Sequence, residues 1–167
     1  KIVFKLLHLP KHDVLMLAKF KSIEDACAAV PAIFLAGGNP SALELMERNA
    51  IDYVLKHDAT LSFAVEPETK AYLLIEVDGN ELDELYTECE RINEVLEKHH
   101  VREVQFADSS DQKEKLWYIR RTIGEKVKQH SIFKEEDTVV KRAHLPELMH
   151  GVKQIGQEYN FESVCYG

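Results

Sequence analysis

Apolar residues along the chain follow two spacings, and these divide it into a doubled unit followed by a further layer. The segment DVLMLAKF (13–20) is a continuous apolar run of strand length. Ser22 with Asp25 three residues later is a near capping box. Ile23, Ala26, Cys27, Val30, Ile33 and Phe34 then recur at helical spacing, so a helix is predicted up to Gly37-Gly38, with a kink or interrupted turn at Pro31. SALELM (41–46) reads as a short buried strand and ERNAIDYVLKH (47–57) as a helix. AYLLIEVDG (71–79) opens the second unit as a strand. Leu82, Leu85, Tyr86, Cys89, Ile92, Val95 and Leu96 give the next helix a clean apolar stripe, and REVQFA (102–107) returns as a strand.

Strand–helix–strand therefore occurs twice. That order predicts an α+β fold, the ferredoxin-like β-α-β-β-α-β arrangement: an antiparallel sheet with helices on one face, plus additional C-terminal helices. The additional elements are a long helix over 111–131, an edge strand DTVVKR (137–142), a helix over 145–160, and the beginning of a strand at ESVCYG (162–167).

Composition narrows the function. The 167 residues suit a single domain, and 29 acidic against 21 basic residues give a net charge of −8. That balance argues against a nucleic-acid backbone or an anionic membrane surface as partner. No apolar run reaches the length of a membrane span. Cys27, Cys89 and Cys165 are odd in number and widely spaced, which reads as reduced core thiols of a cytoplasmic protein. The histidines form no metal-ligand motif, and no nucleophile elbow or glycine-rich phosphate loop is present, so no catalytic, cofactor-binding or metal residue is assigned within the chain. His99-His100 reads as a solvated helix end, and Glu76 and Asp78 as a solvated strand edge.

One residue stands out. On a wheel of the 111–131 helix, Leu116, Ile123 and Val127 form an apolar arc and Arg120 points into its middle, while Thr122, Glu125 and Lys126 face the other way. A desolvated guanidinium needs an anion. Gly124 beside it clears space, so a carboxylate pocket is expected at Arg120. The plainer alternative is that Arg120 pairs with an internal Asp or Glu.

The ordered segments KIVFKLLHLP, FKSIEDA, PSALELMER, LLIEVDG, LWYIRRTIGEKVK, EEDTVVKRAHLPELMHGVKQI and VCYG resemble the C-terminal domain of FAD-linked oxidases, the group that includes glycolate oxidase FAD subunits, D-lactate dehydrogenases (cytochrome type) and D-2-hydroxyglutarate dehydrogenases. The resemblance covers essentially the whole chain and implies a single cap-domain fragment, 1–167, with residues 1–10 as the tail of the connection from a separate FAD-binding domain. It implies that the parent oxidises a D-2-hydroxy acid by hydride transfer to FAD and passes electrons to a carrier, and that the fragment is inactive alone. The family W-x-x-R segment matches Trp117 to Arg120, which makes Arg120 the residue that grips the substrate carboxylate. A second substrate-binding lysine has Lys134 as its nearest counterpart, one or more residues out of register, and the family proline after it is Lys141 here. The family's His-x-Gly-Asp-Gly-Asn-x-His, whose histidines serve catalysis and in some members a divalent metal, would follow Gly167, outside this chain. The partners implied are the FAD-binding domain, the 2-hydroxy acid and an electron acceptor, with a cytoplasmic location that reaches a membrane only through electron-transfer partners. The competing reading is a free-standing ferredoxin-like module for small-ligand binding or dimerisation.

Overall fold

The structure is a computed structural model that describes residues 1–6 and 8–167; Leu7, within the connecting tail expected at 1–10, lies outside the described residues. The elements run β1 (His12–Phe20), α1 (Ile23–Leu35), β2 (Ala42–Glu47), α2 (Arg48–His57), β3 (Ala71–Gly79), α3 (Leu82–Lys98), β4 (Glu103–Phe106), α4 (Ser110–His130) and α5 (Leu145–Tyr159). The four strands form one antiparallel sheet in the order β2-β3-β1-β4, the ferredoxin-like arrangement.

Strand parity separates two cores. Met16, Ala18 and Phe20 of β1 and Leu73, Ile75 and Val77 of β3 face α1 and α3, with Met149 of α5 behind them. The opposite parity sends Leu15, Leu17, Met46, Tyr72 and Leu74 to the other face. The helices of the doubled unit thus share one face as expected. The second face is not left open: Ile51 and Val54 of α2 and Ile119 and Ile123 of α4 cover it. A central strand buried on both sides is why β1 reads as a continuous apolar run rather than an alternating one.

Local signals behave as their chemistry requires. The Ser22 side chain accepts from the Asp25 amide at 3.1 Å, which caps α1. The helix continues through Pro31 as a single element and ends in the amide bonds of Ala36, Gly37 and Gly38 back to α1, with Gly37 at φ 84°. Burial of Cys27, Val30 and Ile33 around the proline holds the turn that sequence alone would interrupt. Cys27 and Cys89 are buried free thiols whose acidity burial suppresses, to about 12 and about 11, so neither is a nucleophile at neutral pH.

Of two expectations for the last third, one is corrected and one holds in outline. Residues 137–142 form no strand. Val139 is 93% exposed and the segment pairs with no strand among the described residues, so the chain runs without regular structure to a short 3-10 turn at Arg142–His144. The strand expected at 162–167 is there in outline. It lies against β2, with Gly167 donating to the Leu45 carbonyl at 2.9 Å and the Glu47 amide donating to the Cys165 carbonyl at 3.1 Å. Glu47 anchors this segment further by accepting from the Cys165 amide at 3.0 Å and pairing with Lys153 of α5 at 2.7 Å.

Asp58, just past α2, ties that helix to α4. Its buried carboxylate accepts from the Thr60 hydroxyl at 2.5 Å and the Tyr118 hydroxyl at 2.9 Å, and pairs with Lys126 at 3.2 Å. The hydrogen bonds from Thr60 and Tyr118, more than the lysine, hold its pKa well below the usual carboxylate range. A depressed folded-state pKa means that the unfolded chain binds the proton first. Stability from Asp58 is therefore complete above about pH 4 and drains away as pH falls below it. Asp58→Asn is expected to lower the melting temperature at neutral pH and to flatten its fall between pH 5 and pH 2. Thermal melts of both proteins across that range check it, and parallel profiles would reject it.

Candidate carboxylate-binding site

The site lies where α4 crosses the β2–β3 corner of the sheet. Even-numbered residues of β2 and β3 face α4, so Glu44 and Glu76 share that face with Met46, Tyr72 and Leu74, and Asp13 of β1 lies on it too. Carboxylates bordering an apolar face need partners, and α4 supplies them from one stripe at i, i+4 and i+7. Lys113 pairs with Asp13 at 2.7 Å. Trp117 donates its indole N–H to Glu76 at 2.9 Å. Arg120 pairs with Glu44, its Nε at 2.7 Å and its Nη2 at 2.6 Å. Glu76, expected at a solvated edge, is instead half-buried and bonded.

The guanidinium of Arg120 is held on its side and on its face. Nε and Nη2 both reach the same oxygen, Oε2 of Glu44, so the side edge of the fork is taken. The Tyr166 ring lies 5.0 Å from the guanidinium carbon, in cation–π range. One turn along α4, a Cβ on Gly124 would lie 2.5 Å from the Tyr166 hydroxyl, so the glycine is what lets that ring seat beside Arg120. Nη1 makes no hydrogen bond among the described residues, and the side chain is 19% exposed. A two-donor edge, Nη1 with the remaining Nη2 proton, is left for a second anion.

Arg120 faces the sheet as the wheel has it, but it meets the internal carboxylate of Glu44, the space beside Gly124 is filled by Tyr166, and the wheel set the buried face of α4 too narrowly. Thr122 is buried and Lys126 largely so, because α4 packs against α2 as well as the sheet. Lys134 is elsewhere in character. It is 85% exposed in the loop after α4, its ammonium is paired with Glu136 at 2.5 Å, and no hydrogen bond or ion pair among the described residues links it to Arg120 or Glu44. Glu44 and Tyr166 were not singled out from sequence. The available signal was the acidic residue at an inward position of the apolar strand ALELM.

Other chemistry is sparse. His57 stacks on His130 at 4.0 Å where α2 and α4 end, and its basicity is lowered by desolvation first and then by His130, Lys56 and Lys126. No group of three His, Cys, Asp or Glu side chains among the described residues could hold a metal ion. A surface hollow of about 420 Å³ lies where α1 and α2 begin and is open and lined by residues that include Lys21, Glu24, Arg48, Asp52 and Lys70. Those side chains do not form the enclosed, mostly apolar slot that a flavin ring requires. Among the described residues no helix is long and apolar enough to cross a membrane.

Comparison with known proteins adds the following. The family described as FAD linked oxidases, C-terminal domain, matches residues 9–167. The chain is 27% identical to a D-lactate dehydrogenase of Anaerostipes hadrus over 174 residues, covering 100% of this chain and 36% of that protein. It is 31% identical to the glycolate oxidase subunit GlcD of Escherichia coli strain K12 over 166 residues, covering 96% and 32%. The chain thus spans about a third of the length of these relatives. In fold it is similar to a solved structure of alkyldihydroxyacetonephosphate synthase, with a TM-score of 0.58 over 89% of this chain and 31% of that one, at 16% identity.

Proposed function

The chain belongs to the FAD-linked oxidase C-terminal domain family, and from that premise we propose that it forms the substrate side of a flavin-dependent oxidoreductase acting on D-2-hydroxy acids of the glycolate or D-lactate type. The observation that carries this reading is the open edge of Arg120. A half-buried guanidinium, fixed by Glu44 and Tyr166 and keeping two donors in hand, is suited to take a carboxylate in bidentate fashion. Holding the acid by its carboxylate fixes where its 2-carbon sits, which is the positioning that a hydride transfer needs.

In this reading the FAD is held by the remainder of the protein, and a divalent metal, where one is used, has ligands outside this chain. Lys134 serves the substrate only if its loop brings it in from its pairing with Glu136. The competing module reading draws on the same Arg120–Glu44 pair, since an internal carboxylate is all that a structural arginine requires.

The test is turnover by the full-length protein in which this segment follows a flavin domain. D-lactate and glycolate are expected to be consumed with reduction of an artificial electron acceptor, and L-lactate to be left. Failure with every short 2-hydroxy acid would overturn the reading and favour the module.

A further inference from the structure

Resting on the reading of Arg120 as the carboxylate anchor, we infer that Tyr166 recognises the 2-hydroxyl of the acid, its phenol O–H donating to that oxygen. The backbone fixes where the phenol stands. Tyr166 bridges Met46 in antiparallel fashion, Gly167 donates to the Leu45 carbonyl at 2.9 Å, and the Cys165 carbonyl accepts from the Glu47 amide at 3.1 Å, so both neighbours of Tyr166 are tied to β2. Residues directly opposite across a ladder share a face. Tyr166 therefore lies on the α4 side with Met46, and Glu44, two positions before Met46, lies there too.

The ring is half-buried over the guanidinium, 5.0 Å from its carbon, and the hydroxyl reaches Gly124, one turn along α4, where a Cβ would lie 2.5 Å from it. The phenol oxygen makes no hydrogen bond among the described residues. Other polar groups on this side of α4 are committed. Trp117 donates to Glu76 at 2.9 Å, Lys113 pairs with Asp13 at 2.7 Å, and Lys128, one turn beyond Gly124, pairs with Glu135 at 2.8 Å. Glu44 keeps one oxygen outside its contacts with Arg120, but that oxygen belongs to a carboxylate, which the ligand's own carboxylate repels.

A 2-hydroxy acid carries its hydroxyl on the carbon next to the carboxylate. Once the carboxylate takes the open edge of Arg120, the hydroxyl falls among the groups that touch the guanidinium, and Tyr166 is the uncommitted donor there. The phenol donates rather than accepts, because the substrate's own hydroxyl proton has to leave as carbon 2 is oxidised. A site whose polar group is answered only by the substrate hydroxyl discriminates against an analogue that lacks it.

The experiment measures, in the full-length protein, kcat/KM for D-lactate and the competitive inhibition constant of propionate, which has the same carboxylate and carbon chain but no hydroxyl. Tyr166→Phe keeps the ring over Arg120 and deletes the phenol oxygen. D-lactate kcat/KM is expected to fall about tenfold, the worth of one net hydrogen bond, while the propionate constant holds. An unchanged D-lactate value overturns the inference, and so does an equal loss on both ligands, which would make Tyr166 a support for Arg120 only. Should Tyr166→Phe not accumulate as folded protein, Gly124→Ala decides, since alanine favours the helix and its Cβ displaces the hydroxyl: the same selective loss supports the inference, and unchanged selectivity rejects it. Failure of the underlying reading has a different signature, namely D-lactate turnover and propionate inhibition that both survive Arg120→Ala.

Discussion

Arg120→Ala in the full-length protein is expected to lower kcat/KM for a short 2-hydroxy acid by about 10²- to 10³-fold, the size of effect expected when one partner of a desolvated charge pair is deleted. The loss should be specific to catalysis. Glu44, left without Arg120, is 27% exposed and can be hydrated, so the melting temperature should move little. Arg120→Lys should recover only part of the activity. A lysine restores the charge but not the planar fork, and it cannot pair with Glu44 through two donors while offering another edge to a ligand. Steady-state kinetics with a parallel thermal melt separate these outcomes. Activity within a few-fold of wild type would show that Arg120 is structural and that its pair with Glu44 is its whole purpose.

Ile123→Ala is expected to cost about 2–5 kcal/mol of stability, and to lower the melting temperature by roughly 5–15 °C. Ile123 is fully buried one turn from Arg120, in the core that α4 forms with Leu74, Ile51 and Val54. Truncating it opens a cavity between α4 and the sheet that rigid neighbours cannot close. Ile155→Ala is the control, because that side chain is 50% exposed on α5 and its removal should shift the melt by little. Calorimetry of both variants checks the pair, and comparable shifts would place the weight of α4 packing somewhere other than this face.

Both expectations depend on how α4 is docked, and that docking was only partly legible beforehand. The wheel could rank Arg120 as an intruder among apolar positions, because the period of a helix is local and needs no tertiary knowledge. It could not see that Thr122 and Lys126 are inward too, since that requires knowing that α2 lies beside α4 and presents Asp58 to Lys126. Glu44 was hidden for a similar reason. An acidic residue inside a six-residue strand is ordinary until an arginine 76 positions later arrives over it. The 137–142 segment misled in the opposite direction: Val139 and Val140 have strand propensity, but propensity becomes a strand only where a partner lies alongside, and none lies beside this segment among the described residues.

Legible in the sequence alone were the doubled strand–helix–strand order, the cap and stop of α1 at Ser22 and Gly37, the family resemblance, and Arg120 as an intruder on the apolar side of α4. These rest on spacing and local chemistry along the chain. Only the tertiary structure decided that a second helical layer covers the sheet, that Tyr166 fills the space Gly124 leaves, that Lys134 faces solvent, and that Glu44 takes one edge of the guanidinium and leaves the other. Each of those is a pairing between distant residues, set by which edges and faces remain unsatisfied once the sheet has formed.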